Sequence, residues 1–256
     1  MIDLHSHILP GVDDGAGDLA EALEIARQSA EQGIEKIVAT PHWMTDGYGL
    51  TPEVTAERVR ELQASITKAG IELTVLTGAE VLITPELGRL LEQGLISTIN
   101  HSRYLLLELS FREIPDYTEN VLYDLKVMGY IPVLAHPERY QDIITDPNLL
   151  YYWVKEGVLA QLNAGSLLGD FGLRVQQTAE ILVQHNLVHL LGSDVHSTGQ
   201  RKQSLQPAFV RLRELIGGEI TRFTDNAQNV IDNLDLKSGS PIYYREKKGF
   251  IKRLFS

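Results

Sequence analysis

Tyr104-Leu105-Leu106-Leu107-Glu108-Leu109 is apolar on both faces of an extended chain until a carboxylate interrupts it near the end. Near-continuous apolarity without polar alternation is what a strand needs in a parallel sheet covered on both sides. Six further runs read the same way, at residues 2–4, 34–40, 73–78, 130–135, 158–162 and 187–192. Helix starts fall between them at Thr51-Pro52-Glu53, Thr84-Pro85-Glu86 and Asp146-Pro147, where a capping side chain precedes a proline suited to the first helical position. Gly33, Gly70, Gly94, Gly129 and Gly157 mark helix stops. Repeated βα units of roughly thirty residues point to a doubly wound sheet or a (β/α) barrel.

The polar residues that close the runs choose between these folds. His5 and His7 follow the first run, His42 the second and Glu80 the third. Glu108 closes the fourth, His136 the fifth and Asn163 the sixth, and Asp194 and His196 follow the seventh. A doubly wound sheet gathers its site at one switch point, so few strand ends contribute. In a closed barrel every C-terminal strand end faces one mouth. The pattern therefore predicts an α/β fold, a TIM-type barrel of seven rather than eight strands, (β/α)7, with its site at the C-terminal strand ends. It occupies residues 1–244, followed by a basic, partly apolar tail over residues 245–256.

The same residues predict metal chemistry. A carboxylate flanked by leucines, as Glu108 is, costs several kcal/mol to bury unpaired. In His5-x-His7 and Asp194-x-His196 the i and i+2 side chains share a face of an extended segment. The 256 residues include no Cys, which excludes disulfides, thiolate metal sites and any Cys nucleophile. Nitrogen and oxygen donors of this kind suit Mn, Fe or Zn. Five histidines and four carboxylates exceed the donor set of a single open catalytic site and suit two or three ions. Four carboxylates against three divalent ions leave a charge of about +2, which attracts a phosphate dianion. The Asp13-Asp14-Gly15 loop offers two candidates for the fourth carboxylate. His101, His185 and His189 do not close an apolar run and are not assigned to metal.

His5-Ser6-His7, Pro41-His42, Gly78-Ala79-Glu80, Glu108, His136-Pro137-Glu138-Arg139 and Ser193-Asp194-Val195-His196 resemble the polymerase-and-histidinol-phosphatase (PHP) family. Met1-Ile2-Asp3-Leu4-His5-Ser6-His7-Ile8-Leu9-Pro10, with Val12-Asp13-Asp14-Gly15, is similar to its manganese-dependent protein-tyrosine phosphatases from bacterial capsule and exopolysaccharide operons. The likeness covers essentially the whole chain. It implies a distorted TIM-type (β/α)7 barrel and three divalent ions, Mn first with Fe, Zn or Mg as alternatives. One would be held by His5, His7, Glu80 and Asp194, a second by Glu80, Glu108 and His136, and a third by Asp14, His42 and His196. The choice of Asp14 over Asp13 rests on the family pattern.

The resemblance also implies hydrolysis of phosphotyrosine by a metal-activated hydroxide, with Arg139 and Arg201 as candidates for holding the phosphoryl oxygens. Its implied partner is a phosphotyrosine protein, a membrane-associated bacterial tyrosine kinase, met in the cytoplasm or at the inner membrane face. A small-molecule phosphatase of histidinol-phosphate type shares the metal site, and a PHP nuclease shares the chemistry. The net charge of −11 counts against a nucleic-acid partner.

The chain start runs straight into a strand, so no signal peptide is expected, and no apolar run is long enough to span a bilayer. Two segments carry further expectations. The aromatics of Trp43-Met44-Thr45-Asp46-Gly47-Tyr48-Gly49 could flank a phosphotyrosine ring. The tail, with five Lys/Arg against one Glu, suits weak contact with an anionic membrane face.

Overall fold

The structure is a computed structural model that describes residues 1–44 and 49–245. Among the described residues there are nine short strands: β1 (Ile2–Ser6), β2 (Lys36–Ala39), β3 (His42–Trp43), β4 (Thr74–Thr77), β5 (Glu80–Leu82), β6 (Tyr104–Glu108), β7 (Ile131–Ala135), β8 (Leu159–Asn163) and β9 (Leu190–Gly192); seven overlap the predicted runs, and β3 and β5 lie just beyond two of them. Every pairing is parallel, in the orders β1-β2-β4 and β3-β5-β6-β7-β8-β9. The nine strands occupy seven positions. β2 and β3 are halves of one strand broken at Thr40-Pro41, and β4 and β5 are halves of another broken at Gly78-Ala79. Bonds across the breaks keep the halves in line: Thr40 N–H donates to Ser6 O (2.8 Å) and Glu80 N–H to Pro41 O (3.1 Å).

The ring closes between β9 and β1. Ser6 bridges Val195, Asp194 N–H donates to His5 O (2.9 Å) and His7 N–H donates to Val195 O (2.9 Å). Asp3, fully buried, ties the seam: its Oδ1 accepts from Ser193 N–H (2.9 Å) and its Oδ2 from Gln203 Nε2 (2.9 Å). The fold is thus the (β/α)7 barrel that the strand ends predicted, distorted as the resemblance implied.

Strand alternation assigns the two faces. Leu105, Leu107, Leu134, Ala160 and Leu162 point outward into the layer beneath the helices. Leu4, Val38, Tyr104, Leu106, Val133, Leu159 and Leu190 fill the barrel interior, where Ala227, Val230 and Ile231 of the helix Thr221–Ile231 plug its lower end. The upper half of the interior is left to the polar residues.

Some element limits differ from expectation. The helix Pro52–Lys68 starts on its proline as predicted, but Leu87–Glu92 starts two residues after Pro85. Asn148–Lys155 starts after Pro147, with Asp146 Oδ1 accepting from Asn148 N–H (3.0 Å). The run at 187–192 is a strand only over β9, because Leu187 and Val188 pack as a buried loop. All five predicted stop glycines have positive φ. No helix among the described residues is long and apolar enough to cross a membrane. Of the tail only Arg245 is described; residues 246–256, and residues 45–48 of the aromatic segment, lie outside the described residues.

Candidate metal centre

Local backbone features aim the side chains. Between Asp3 and Ser6 the register of β1 against β2 slips by one residue. Such a bulge re-aims the side chains beyond it: Leu4 points into the barrel, and after the slip His5 and His7 point inward as well. Gly15 lies so close to His7 that an added Cβ would stand 2.1 Å from the His7 carbonyl, so the Asp13-Asp14-Gly15 loop can wrap over His7 only with glycine there. The β3–β5 register sets His42 beside Glu80. On β6, Glu108 follows Leu106 on the inner face. His136 and Asp194 both adopt positive φ, 35° and 55°. Non-glycine residues there cost about 1–3 kcal/mol and cluster at functional sites.

The nine predicted ligands converge into three overlapping groups. His5, His7, Glu80 and Asp194 form one; His7, Asp14, His42 and His196 form another; His42, Glu80 and Glu108 form the third. His136 joins through Nε2, 2.8 Å from Glu80 Oε1 and 3.7 Å from Glu108 Oε1. Two details differ from the implied grouping. His42 reaches both Glu80 (Nδ1, 3.2 Å) and Asp14 (Nε2, 3.3 Å), and His7 belongs to two groups rather than one. The loop carboxylates divide their roles. Asp14 Oδ1 lies 3.3 Å from both His42 Nε2 and His196 Nε2. Asp13 instead accepts from His7 Nδ1 (2.8 Å), Gly15 N–H (2.9 Å) and His42 N–H (3.1 Å).

These contacts orient the rings. Asp13 accepts from the Nδ1–H of His7. Gln161, whose Nε2 donates to Leu162 O (2.6 Å), presents its Oε1 to His5 Nδ1 (2.7 Å). Both rings therefore aim Nε2 into the site, the two atoms 3.3 Å apart. Glu80 Oε2 and Asp194 Oδ1 stand 3.2–3.4 Å from the same two nitrogens. Two carboxylates in so buried a space draw positive charge to it, either a proton on an imidazole or a metal ion among the four donor atoms. Asp194 Oδ1 and His196 Nε2 are buried and make no hydrogen bond among the described residues. The donor set thus fits divalent ions.

The titrations are strongly perturbed across the cluster. Burial, with the charge of Glu80, pushes Glu108 up to about 8, and burial holds His136 down at about 4. Burial and His7 hold His196 at about 3. Burial alone would lower His7, but Asp13, Asp194 and Glu80 raise it well above its ordinary value, while Asp13 falls to about 2 beside it despite its own burial. A divalent cation inverts such local pressures by favouring carboxylates and neutral imidazoles.

Asp194 Oδ2, the outer oxygen, accepts from Asn163 Nδ2 (2.7 Å), Arg201 Nη2 (2.7 Å) and Arg139 Nη1 (3.2 Å). Both predicted arginines thus flank the cluster. Arg139 does not pair with Glu138 or Asp142; Glu138 is buried and accepts from Asn163 N–H (3.1 Å). The guanidinium of Arg139 is sandwiched between Phe111 (4.6 Å) and Phe171 (4.4 Å), and Phe111 also stacks on the His136 ring at 5.4 Å. His101, His185 and His189 lie elsewhere: His101 beside Thr77, His185 on Ile181 O, and His189 accepting from Ala160 N–H. Trp43 is buried and lines a separate cavity.

Gln161, Phe111 and Phe171 carry no role that the sequence assigned; it marks Asn163 only as the close of the sixth run and Asp13 only as the alternative to Asp14. A glutamine inside the apolar run Val158-Leu159-Ala160-Gln161-Leu162 was a legible signal, since it must be buried and paired. The two phenylalanines carried none, because only the fold brings residues 111, 139 and 171 together.

Comparison with known proteins agrees with this geometry. Residues 1–247 match the family described as capsular polysaccharide synthesis, CpsB/CapC. The chain is 38% identical over 251 residues to tyrosine-protein phosphatase YwqE of Bacillus subtilis (strain 168), covering 98% of this chain and 99% of that protein. A solved structure from the pair YwqE of Bacillus subtilis and CpsB of Streptococcus pneumoniae, described as unique metal-dependent tyrosine phosphatases, superposes with a TM-score of 0.93. It is 38% identical and covers 96% of this chain and 100% of that one. An organophosphorus hydrolase variant, 16% identical with a TM-score of 0.50 over 90% of this chain and 92% of that one, shares the fold alone.

Proposed function

The chain belongs to the CpsB/CapC family of capsular polysaccharide synthesis, and from that premise we propose that it is a metal-dependent protein-tyrosine phosphatase. The observation that carries this reading is the pair of imidazole Nε2 atoms of His5 and His7, 3.3 Å apart and facing two buried carboxylates. In this reading three divalent ions, Mn first, are held by the nine converging ligands. His5, His7, Glu80 and Asp194 hold one, and Glu80, Glu108 and His136 a second with His42 beside it. Asp14, His42 and His196 hold the third. Bound there, such ions supply Lewis acidity and a water of lowered pKa at neutral pH.

The rest is the work of this chain's side chains. Asp13 and Gln161 hold the rings of His7 and His5 with Nε2 inward, the orienting contact that metal-binding histidines need. Asn163, Arg139 and Arg201 hold Asp194 by its outer oxygen, which leaves Oδ1 for the cluster. The remaining N–H groups of the two guanidiniums take phosphoryl oxygens, where charge grows during transfer. A tyrosine phenolate, with a pKa of about 10, departs with little help from a protein acid, whereas a serine alkoxide does not.

The substrate is then a phosphotyrosine protein. The finer reading is an autophosphorylated, membrane-associated kinase of capsule or exopolysaccharide synthesis, met in the cytoplasm at the inner membrane face. The family's description supports the pathway. The barrel over residues 1–244 carries the whole site, and the tail from 245 is proposed to contribute only weak surface attraction.

The test is turnover of a phosphotyrosine peptide, a phosphoserine peptide and histidinol phosphate by stripped protein resupplied with Mn. Clear preference for phosphotyrosine is expected. Equal or faster turnover of histidinol phosphate would assign the chain to small-molecule hydrolysis instead.

A further inference from the structure

A cavity of about 560 Å³ opens beside the cluster, with Asn163, Phe171, Asp194, Arg201 and Lys202 in its walls. That volume lies in the range of sites that enclose a small ligand or a side chain. Phe171 is its only aromatic or large apolar wall among the described residues. The ring is held from two sides. The Arg139 guanidinium lies 4.4 Å from its centre, and Gly165 leaves it no slack, since an added Cβ there would stand 3.1 Å from Phe171 Cε2. The loop that carries it turns through Gly169 and Gly172, both at positive φ, with Gly172 N–H donating to Gly169 O (3.0 Å).

We propose that this cavity seats the aryl ring of the substrate, with Phe171 as its wall, and so selects aryl over alkyl phosphate monoesters. The inference rests on the phosphatase reading above and adds the device for recognising the leaving group. A phosphoryl group held between the cluster and the guanidiniums of Arg139 and Arg201 lies at the cavity's inner edge, because Asp194 and Arg201 belong to both. Its ester substituent then projects into the cavity or into bulk water. An aromatic substituent in the cavity meets the edge or face of Phe171 and the cationic side chains Arg201 and Lys202, which favour a π-system. Lys202 is exposed and forms no ion pair among the described residues, so it is available to the ring or to an anion next to it. An alkyl phosphate gains neither contact.

The rival seat is the cavity of about 450 Å³ lined by Trp43, Met44, Thr51, Glu86 and Arg89. None of the nine ligands and neither arginine lines it, so a phosphate on the cluster has no shared wall with it.

Calorimetric binding of phenylphosphonate and methylphosphonate to the Mn-loaded protein separates the possibilities without turnover. The wild type should bind phenylphosphonate more tightly. Phe171→Leu should reduce the phenyl-to-methyl preference about threefold to tenfold, and Phe171→Tyr, which keeps the ring, should retain it. Phe111→Leu removes the other face of the Arg139 sandwich but no wall of the cavity, so it should weaken both ligands alike and leave the ratio unchanged. An unchanged ratio in Phe171→Leu, or its loss in Trp43→Leu instead, overturns the proposal. A wild type that shows the phenyl preference, loses it in Phe171→Leu and yet fails to hydrolyse phosphotyrosine would uphold the aryl seat while refuting the activity. Hydrolysis with no effect of Phe171 on the ratio would do the reverse.

Discussion

Asp194 divides its carboxylate between two duties. Oδ1 is turned to His5 and His7 and has no hydrogen bond among the described residues, while Oδ2 carries Asn163, Arg139 and Arg201. Arginine and ligand are therefore coupled, which the order of residues along the chain did not disclose. Two substitutions separate their roles. Glu80→Ala removes a carboxylate that touches His5, His7, His42 and His136, so bound metal and turnover should fall together. Arg139→Ala leaves two donors on Asp194 Oδ2, so metal content should stay near wild type while transition-state stabilisation drops by about 2–4 kcal/mol, the loss typical of one oxyanion donor. Metal analysis beside steady-state kinetics decides the matter, and an emptied cluster in Arg139→Ala would make that residue a support of Asp194 only. The ligands were legible because histidines and carboxylates that recur at the ends of apolar runs are costly to bury without a partner. Asp13 was not separable from Asp14 by its chemistry, since the two are identical side chains. Only the Gly15 turn over His7 puts one behind the ring and the other before the cluster.

The strands show where pattern ends and geometry begins. All seven apolar runs appear as strands, because burial on both faces leaves a mark that any parallel sheet shares. The breaks at Thr40-Pro41 and Gly78-Ala79 and the slip in β1 left no such mark, although Pro41 brings no N–H to the ladder and Gly78 is required because an added Cβ would meet Val38 at 2.8 Å. The seam between β9 and β1 was equally hidden, since it joins residues some 190 positions apart through Asp3, Ser193 and Gln203. Asp3→Ala leaves the buried Ser193 N–H without its acceptor and Gln203 Nε2 with only Ser29 Oγ (3.2 Å). A loss of about 2–4 kcal/mol is expected, which lowers the melting temperature by about 2–4 °C for each kcal/mol in a chain of this size. Differential scanning calorimetry on the metal-loaded protein measures it, and an unchanged melting temperature would mean that the seam is held elsewhere.

Charge is arranged unevenly over the molecule: a net −11 overall, yet a buried site whose imidazoles and guanidiniums gather on a few carboxylates. Acid should unfold it in part through a residue remote from that site. His189 is buried near Arg222 and is held down at about 4, against about 6.5 unfolded, first by desolvation. Between these values the unfolded chain binds the extra proton. The contribution is therefore complete above about pH 6.5 and is lost as pH falls toward 4, by up to roughly 3 kcal/mol. His189→Gln can still accept from Ala160 N–H, so urea unfolding at pH 7 and pH 4.5 should show a smaller fall than in wild type. Parallel falls would place the acid sensitivity in other groups. The metal cluster itself is tested most directly by titrating Mn into fully stripped protein while bound metal per chain and phosphotyrosine-peptide turnover are read together. No turnover is expected from stripped protein, with full turnover returning as occupancy approaches three ions per chain. Undiminished turnover after stripping, or ions bound at that stoichiometry with no turnover, would contradict it.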